Sequence, residues 1–401
     1  MAEAQIPPAI RASARAGGDP EGEAEDGPLV DTGQLSLPGA RCRSSRRRRD
    51  WSGPSCEDRR GKTMCAGPPN ERDELGNLCM RGISDQPAPS LAKLTAMSYS
   101  ASTTAGSGER IAAIGDLELC YETFGAGSDP ALVLIMGLAT QMIGWRDGFC
   151  ESLASRGFFV VRFDNRDVRR STRLDDLPVP TFWQLVQRDK GAASYTLEDM
   201  ALDMVGLLDR LEIERAHVVG ASMGAMIAQT VAAKYPDRVR SLVSIMGSTG
   251  APSSGQPQWR TAKVLMSVPP ADRDGFVDHM MKTSAIIGSP GLERDEDDLR
   301  WFSETTFDRG RSPAAAARQL AAINASGDRT PLLRQISAPA LVIHGSADTL
   351  VRPSGGRATA KAIADARVVE IPGMGHDLPR DAWPQIIDAI AENAARGTDD
   401  A

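Results

Sequence analysis

From Ile111 onward the chain alternates short, strongly apolar runs with longer stretches of helical period, and this alternation limits the fold more than any other feature. Leu117–Phe124 and residues 131–136 read as strands, the second too apolar to leave one face in water. Residues 145–156 read as a helix ended by Gly157, and 158–163 as another buried strand. Thr196 opens a helix whose apolar positions, Leu197, Met200, Ala201, Met204, Val205, Leu207, Leu208 and Leu211, recur every 3.6 residues, with Asp199 placed to complete a capping box. Strand 217–220, helix 223–235 (stopped by Pro236) and strand 239–246 follow. Strands 340–344 and Arg367–Ile371, a helix around 356–364 between them and a last helix over 381–395 complete the pattern. Strands separated by helices require a mostly parallel central sheet with helices on both faces, here begun by an antiparallel edge hairpin. The interval 250–331 carries helical patches (259–266, 313–325) and no strand pattern. It reads as an insertion, a helical cap over the carboxyl edge of the sheet, where open parallel sheets bind their ligands.

The front of the chain is of another kind. Before Tyr99 the only aromatic residue is Trp51, and Gly, Pro, Ser, Arg and acidic residues dominate. Such a composition cannot bury enough apolar surface to offset chain entropy, so residues 1–96 are expected to be a disordered extension ahead of a single domain over 97–401. A start of translation at Met97 would account for them economically. The run Arg46-Arg47-Arg48-Arg49 is balanced by neighbouring acids, and the net charge of -7 argues against a nucleic-acid partner. Cys42, Cys56, Cys65 and Cys79 stand nine to fourteen residues apart with no His among them, unlike zinc ligands, so no metal is expected. Unpaired cysteines and the absence of an apolar leader suit a cytoplasmic setting, and no run reaches the roughly 20 apolar residues of a membrane span.

Gly220-Ala221-Ser222-Met223-Gly224 lies between a buried strand and a helix. A serine in that turn projects into a cleft, with glycines leaving room on either side. The amide of Met223, at the helix start, faces the place where negative charge would develop. A second amide donor is expected from the loop after strand 131–136, where Gly137 allows a sharp turn and Leu138 supplies the N–H. A serine hydroxyl needs a base. Of the four His, His217 opens a strand and reads as packing or capping, His279 lies in the insertion without a defined partner, and His344 ends a buried strand with a structural hydrogen bond expected. His376, in the glycine-flanked loop Gly373-Met374-Gly375-His376 at the sheet's carboxyl edge, is the candidate base. Asp348, in Gly345-Ser346-Ala347-Asp348 at the same edge, is the candidate carboxylate to orient it. Local backbone bonding is the ordinary alternative for an Asp in such a turn, and the loop Gly247-Ser248-Thr249-Gly250 offers no carboxylate.

Several stretches carry a family resemblance: Leu134-Ile135-Met136-Gly137-Leu138 with Trp145 downstream, Arg162-Phe163-Asp164-Asn165-Arg166-Asp167, Gly220-Ala221-Ser222-Met223-Gly224-Ala225, and Ile371-Pro372-Gly373-Met374-Gly375-His376-Asp377-Leu378-Pro379. Over about residues 111–395 the chain resembles the α/β-hydrolase superfamily. More narrowly, it is similar to the bacterial esterases that include the aclacinomycin methylesterases and related actinobacterial carboxylesterases. The resemblance implies Ser222 as nucleophile, Asp348 and His376 as its partners in the chain order of that fold, and the Leu138 and Met223 amides as oxyanion hole. It implies cofactor-free hydrolysis of a carboxylic ester through an acyl-enzyme, with Asp164 and Arg166 bracing the neighbouring loop. The same triad serves cofactor-free perhydrolases or haloperoxidases and C–C bond hydrolases, and a non-catalytic binding protein is the rival from another class. Met266, Met280 and Met281 in the insertion either meet a hydrophobic group of a small-molecule ester or pack its helices together. The chain departs from the family pattern at Arg169, where the family has Gly; a positive φ there would cost Arg about 1 kcal/mol or more.

Overall fold

The computed structural model describes residues 108–168, 170–265 and 267–397. The expected disordered segment 1–96 with its Arg run and four cysteines, Met97, Arg169 and Met266 all lie outside the described residues.

The eight strands form one sheet in the order β1-β2-β4-β3-β5-β6-β7-β8. The edge hairpin is β1 (Arg110–Ile114), a strand the sequence pattern had not delimited, with β2 (Leu117–Phe124). Next to β2, antiparallel to it, runs β4 (Phe159–Phe163). From there β3 (Ala131–Ile135), β5 (Ala216–Ala221), β6 (Val239–Ile245), β7 (Ala340–Gly345) and β8 (Arg367–Ile371) are all parallel to β4.

All five residues of β3 are buried, because both faces of the strand are covered. Side chains alternate along a strand. Leu132 and Leu134 accordingly enter one core with α1 (Asp147–Ala154) and, from the chain's end, Ile386, Ile387 and Ile390. Val133 and Ile135 enter the other with α3 (Leu197–Arg210) and α4 (Met223–Lys234), while a short α2 (Phe182–Val186) lies between β4 and α3 in sequence. Thr196 and Asp199 form the capping box in front of α3. Where 145–156 suggested one helix, Trp145 instead closes a 3-10 turn by donating to Met142 O, and α1 begins at Asp147.

Between β6 and β7 the described residues form helices and connecting loops but no strand: α5 (Trp259–Leu265), α6 (Arg273–Ile287), α7 (Glu296–Arg309), α8 (Pro313–Ser326) and α9 (Thr330–Leu333). Then α10 (Pro353–Ala362) starts three residues before the sequence pattern suggested, at a proline suited to a first helical turn. Finally α11 (Trp383–Ala395) carries the isoleucines already named. Among the described residues no helix is long and apolar enough to cross a membrane.

The strand order reverses at β3, whose neighbours β4 and β5 lie on opposite sides. At such a reversal the loops leaving adjacent strands diverge and open a crevice at the carboxyl edge. The loop after β3 and the turn after β5 flank that crevice, and the loops after β7 and β8 reach it from the same edge.

Candidate active site

Ser222 joins β5 to α4 with φ 57° and ψ −118°, a backbone conformation that costs a residue with a side chain about 1–3 kcal/mol. The glycines around it are there because the chain crosses itself at close range. A Cβ on Gly220 would stand 2.1 Å from Gly224 O, and one on Gly224 would stand 2.1 Å from Ile135 O. The turn can form only if both positions lack a side chain, which is the physical content of the pentapeptide. As the first residue of α4, Met223 has an N–H with no acceptor inside the helix.

The other parts arrive from far along the chain. His376 Nε2 lies 2.9 Å from Ser222 Oγ, and its Nδ1 lies 2.7 Å from Asp348 Oδ2. Asp348 is buried, and its Oδ1 accepts from the Leu350 and Val351 amides at 2.8 and 2.9 Å. The local backbone bonding expected of a turn Asp and the contact with His376 thus use different oxygens of one carboxylate. Burial alone would push this carboxyl up; the His376 and His344 rings, through hydrogen bonds and through attraction whenever a ring is protonated, outweigh it and hold it below the usual carboxylate range. With its oxygen fixed, the His376 proton belongs on Nδ1 and the lone pair on Nε2, facing the serine.

The remaining histidines are accounted for separately. His344 Nε2 lies 2.7 Å from Val351 O, the structural bond expected of it, and also 3.4 Å from Asp348 Oδ2. His217 is buried with Nδ1 2.9 Å from Ser241 Oγ, and burial, helped by Arg240 and Arg215, pushes it down to about 4. His279 meets Ser267 Oγ at 3.3 Å within the helical interval. Cys120 and Cys150 are unpaired and buried, and burial pushes both thiols up to about 12, far from nucleophilic thiolates. Among the described residues no cluster of His, Cys, Asp and Glu has the arrangement of a metal site.

Gly137 brings the loop after β3 against the elbow: a Cβ there would stand 3.1 Å from Ser222 Cβ and 3.6 Å from its Oγ. In this loop Met136 O accepts from Asn165 Nδ2, Gly137 O from the Thr140 amide and Leu138 O from Thr140 Oγ1. The Leu138 N–H shares a trans peptide with the Gly137 carbonyl and therefore points away from Thr140. Asp164 buttresses the next residues, with Oδ1 accepting from the Met142 amide at 2.6 Å and Oδ2 paired to Arg309 on α7 at 2.7 Å. Arg166 pairs with Asp203 on α3.

Two sets of contacts had no counterpart in the sequence reading. The end of α6 is laced to the histidine loop: the His376 amide donates to Ile287 O at 2.7 Å, the Gly375 amide to Ser289 Oγ at 2.8 Å, and Ser289 Oγ to the Asp377 carboxylate. The fully buried Gln319 on α8 bonds both Ala139 and Arg166, in the loops after β3 and β4. A polar residue inside the alanine-rich run of α8 was the one available hint of the second.

Residues 130–379, well over half of the chain, match the model of the alpha/beta hydrolase fold, and the chain belongs to that family. Among its relatives is the rhodomycin D methylesterase of Streptomyces sp. strain C5, 27% identical over 315 residues that span 71% of this chain and 97% of the relative. The rhodomycin D methylesterase of Streptomyces peucetius is 26% identical over 318 residues, with the same shares. The crystal structure of a hydrolase from Pseudomonas aeruginosa PA01 has the same fold, with a TM-score of 0.53 at 24% identity over 73% of this chain and 99% of that one.

Proposed function

We propose that this protein hydrolyses a carboxylic ester through a serine acyl-enzyme. The observation that carries the reading is the single imidazole bridging Ser222 Oγ at 2.9 Å and Asp348 Oδ2 at 2.7 Å. His376 Nε2 takes the Ser222 proton as Oγ attacks the ester carbonyl. The Leu138 and Met223 amides hold the tetrahedral oxyanion, and Asp348 fixes the imidazole and stabilises its cation. The alcohol leaves with the proton from Nε2. Water then gives a proton to the same nitrogen as its oxygen attacks the acyl-enzyme, and the acid departs as Ser222 Oγ recovers its hydrogen.

The methylesterase names of the relatives support esters over other substrates of this triad, and make methyl esters the first to try. The helices between β6 and β7 would serve as a cap, with Met280 and Met281, both partly buried on α6, contributing apolar surface for a hydrophobic small-molecule ester. Turnover of short p-nitrophenyl esters and of a panel of methyl esters, together with labelling by a fluorophosphonate, tests the reading. Ser222→Ala should lose both activities, with kcat down by at least about 10⁴-fold and the fold intact by circular dichroism. A Ser222→Ala protein that retains near-normal turnover refutes the assignment.

A further inference from the structure

Residues 136–141 of the loop after β3 belong to no helix or strand. Ala139 has φ 53°, the left-handed region that a residue with a side chain enters at a cost. The peptide between Leu138 and Ala139 is nevertheless fixed at both ends. Its carbonyl accepts from Thr140 Oγ1 at 3.1 Å, and its N–H donates to Gln319 Oε1 at 2.8 Å. The Thr140 bond is local and moves with the loop. The Gln319 bond is not: the partner sits on α8, 180 residues further along the chain. Gln319 cannot turn away either, because its Nε2 donates to Arg166 O at 2.9 Å, which uses both ends of the amide, and its side chain is fully buried. The neighbouring α8 residue Arg318, also buried, pairs through two nitrogens with Asp167 at 2.8 Å, so the helix is anchored to the loop after β4 beside the glutamine.

We propose that Gln319 is the positioning residue of the oxyanion hole: by holding the Leu138–Ala139 peptide plane, it keeps the preceding Leu138 N–H aimed at the oxygen of the tetrahedral intermediate. The inference rests on the oxyanion role given to Leu138 above. It assigns no contact between Gln319 and substrate. A donor displaced by a fraction of an ångström loses most where charge develops and little in the ground state, so the loss falls on kcat and leaves KM in place.

The test compares Gln319→Met, similar in shape but unable to make either bond, with Gln319→Glu, which retains an oxygen acceptor for the Ala139 amide and, buried as the neutral acid, an O–H to donate to Arg166 O. Active enzyme is counted by fluorophosphonate titration. Each variant is assayed for kcat and KM on a p-nitrophenyl ester and for inhibition by phenylboronic acid, whose boron bonds Ser222 Oγ and places a B–O oxygen in the oxyanion position. Gln319→Met should lower kcat about tenfold or more per active site, keep KM within about twofold, and raise the boronate Ki by the same factor as kcat falls. Gln319→Glu should keep the boronate Ki within about threefold of wild type. Destabilisation alone would reduce the titrated fraction and leave both ratios unchanged, and that result overturns the inference. Should Gln319→Met fail to fold, the folded Glu variant decides, and weakened boronate binding there overturns it too. Wild-type protein that neither turns over esters nor binds the boronate overturns the esterase reading together with this one. Wild-type activity with boronate affinity indifferent to Gln319 removes this inference only.

Discussion

Asp348→Asn is the most searching single substitution, because the structure decides which way round the amide will sit. Asp348 Oδ1 takes two backbone N–H donors, from Leu350 and Val351, whereas Oδ2 faces the ring nitrogens of His376 and His344. An asparagine has one acceptor and one donor end. Turning the NH₂ toward the two backbone amides would set donor against donor twice, at about 1–3 kcal/mol for each group left unsatisfied in a buried place. The oxygen therefore takes the Oδ1 position and the NH₂ faces His376 Nδ1. That nitrogen must then accept, the ring proton moves to Nε2, and the imidazole presents a hydrogen to Ser222 where it needs a lone pair. Loss of the correct tautomer and of the carboxylate's charge should lower kcat by about 10⁴-fold, equivalent to about 5.4 kcal/mol, with KM nearly unchanged. The assay is p-nitrophenyl ester turnover at pH 7 and saturating substrate, normalised to folded protein. Turnover within tenfold of wild type would refute the argument.

Two predictions concern stability. His217 takes a proton near pH 6.5 when unfolded and near 4 when folded, so the unfolded chain binds more protons between these values and stability falls as pH drops through that window, by up to about 3 kcal/mol. His217→Asn keeps a polar atom near Ser241 and should flatten this part of the urea-midpoint profile; an unchanged slope assigns the acid lability elsewhere. Gly224→Ala would put its Cβ 2.1 Å from Ile135 O, a backbone atom that cannot swing aside. It should lower stability by about 3 kcal/mol or more and fail to label with fluorophosphonate, and a melting temperature within two or so degrees of wild type would count against the close crossing.

What could be read from the sequence follows from how each element is stabilised. The strands Leu117–Phe124 and Arg367–Ile371 fall on the bounds their residue patterns suggested, and α3 was visible through its long apolar stripe and its capping pair. By contrast α6 buries only Phe276 and Val277 and α7 turns Ser303, Thr306 and Arg309 inward, so a search for apolar period passes over both. Asp295 caps the start of α7 by accepting from the Asp298 amide, a cap the sequence reading had not singled out. At the site, Ser222 stands out because its signature is local, five consecutive residues, although of the two close approaches only that of Gly220 to Gly224 O is local and that of Gly224 reaches Ile135 O. His376 and Asp348 could be placed from strand ends, since a parallel sheet gathers all its outgoing loops on one edge. Gln319 and Ser289 could not, because their partners lie 180 and 86 residues away, and a polar residue in the alanine-rich run of α8 hints at burial without naming a partner.

The hydrogen bonds that tie Ile287 at the end of α6 and Ser289 just beyond it to the Gly375-His376-Asp377 loop, and α8 to Ala139, bear on how this fold diversifies. The helices that would shape a pocket are here the same helices that brace the loops carrying Ala139 and His376. Exchanging them wholesale with those of a relative, to borrow its substrate range, would also exchange the braces. A chimera that transplants only pocket-facing side chains, and leaves Ser289 and Gln319 with their neighbours, should turn over its new substrate faster than one that transplants whole helices. Lineages of such enzymes would then be freer to change the surface of this layer than the points at which it is tied down.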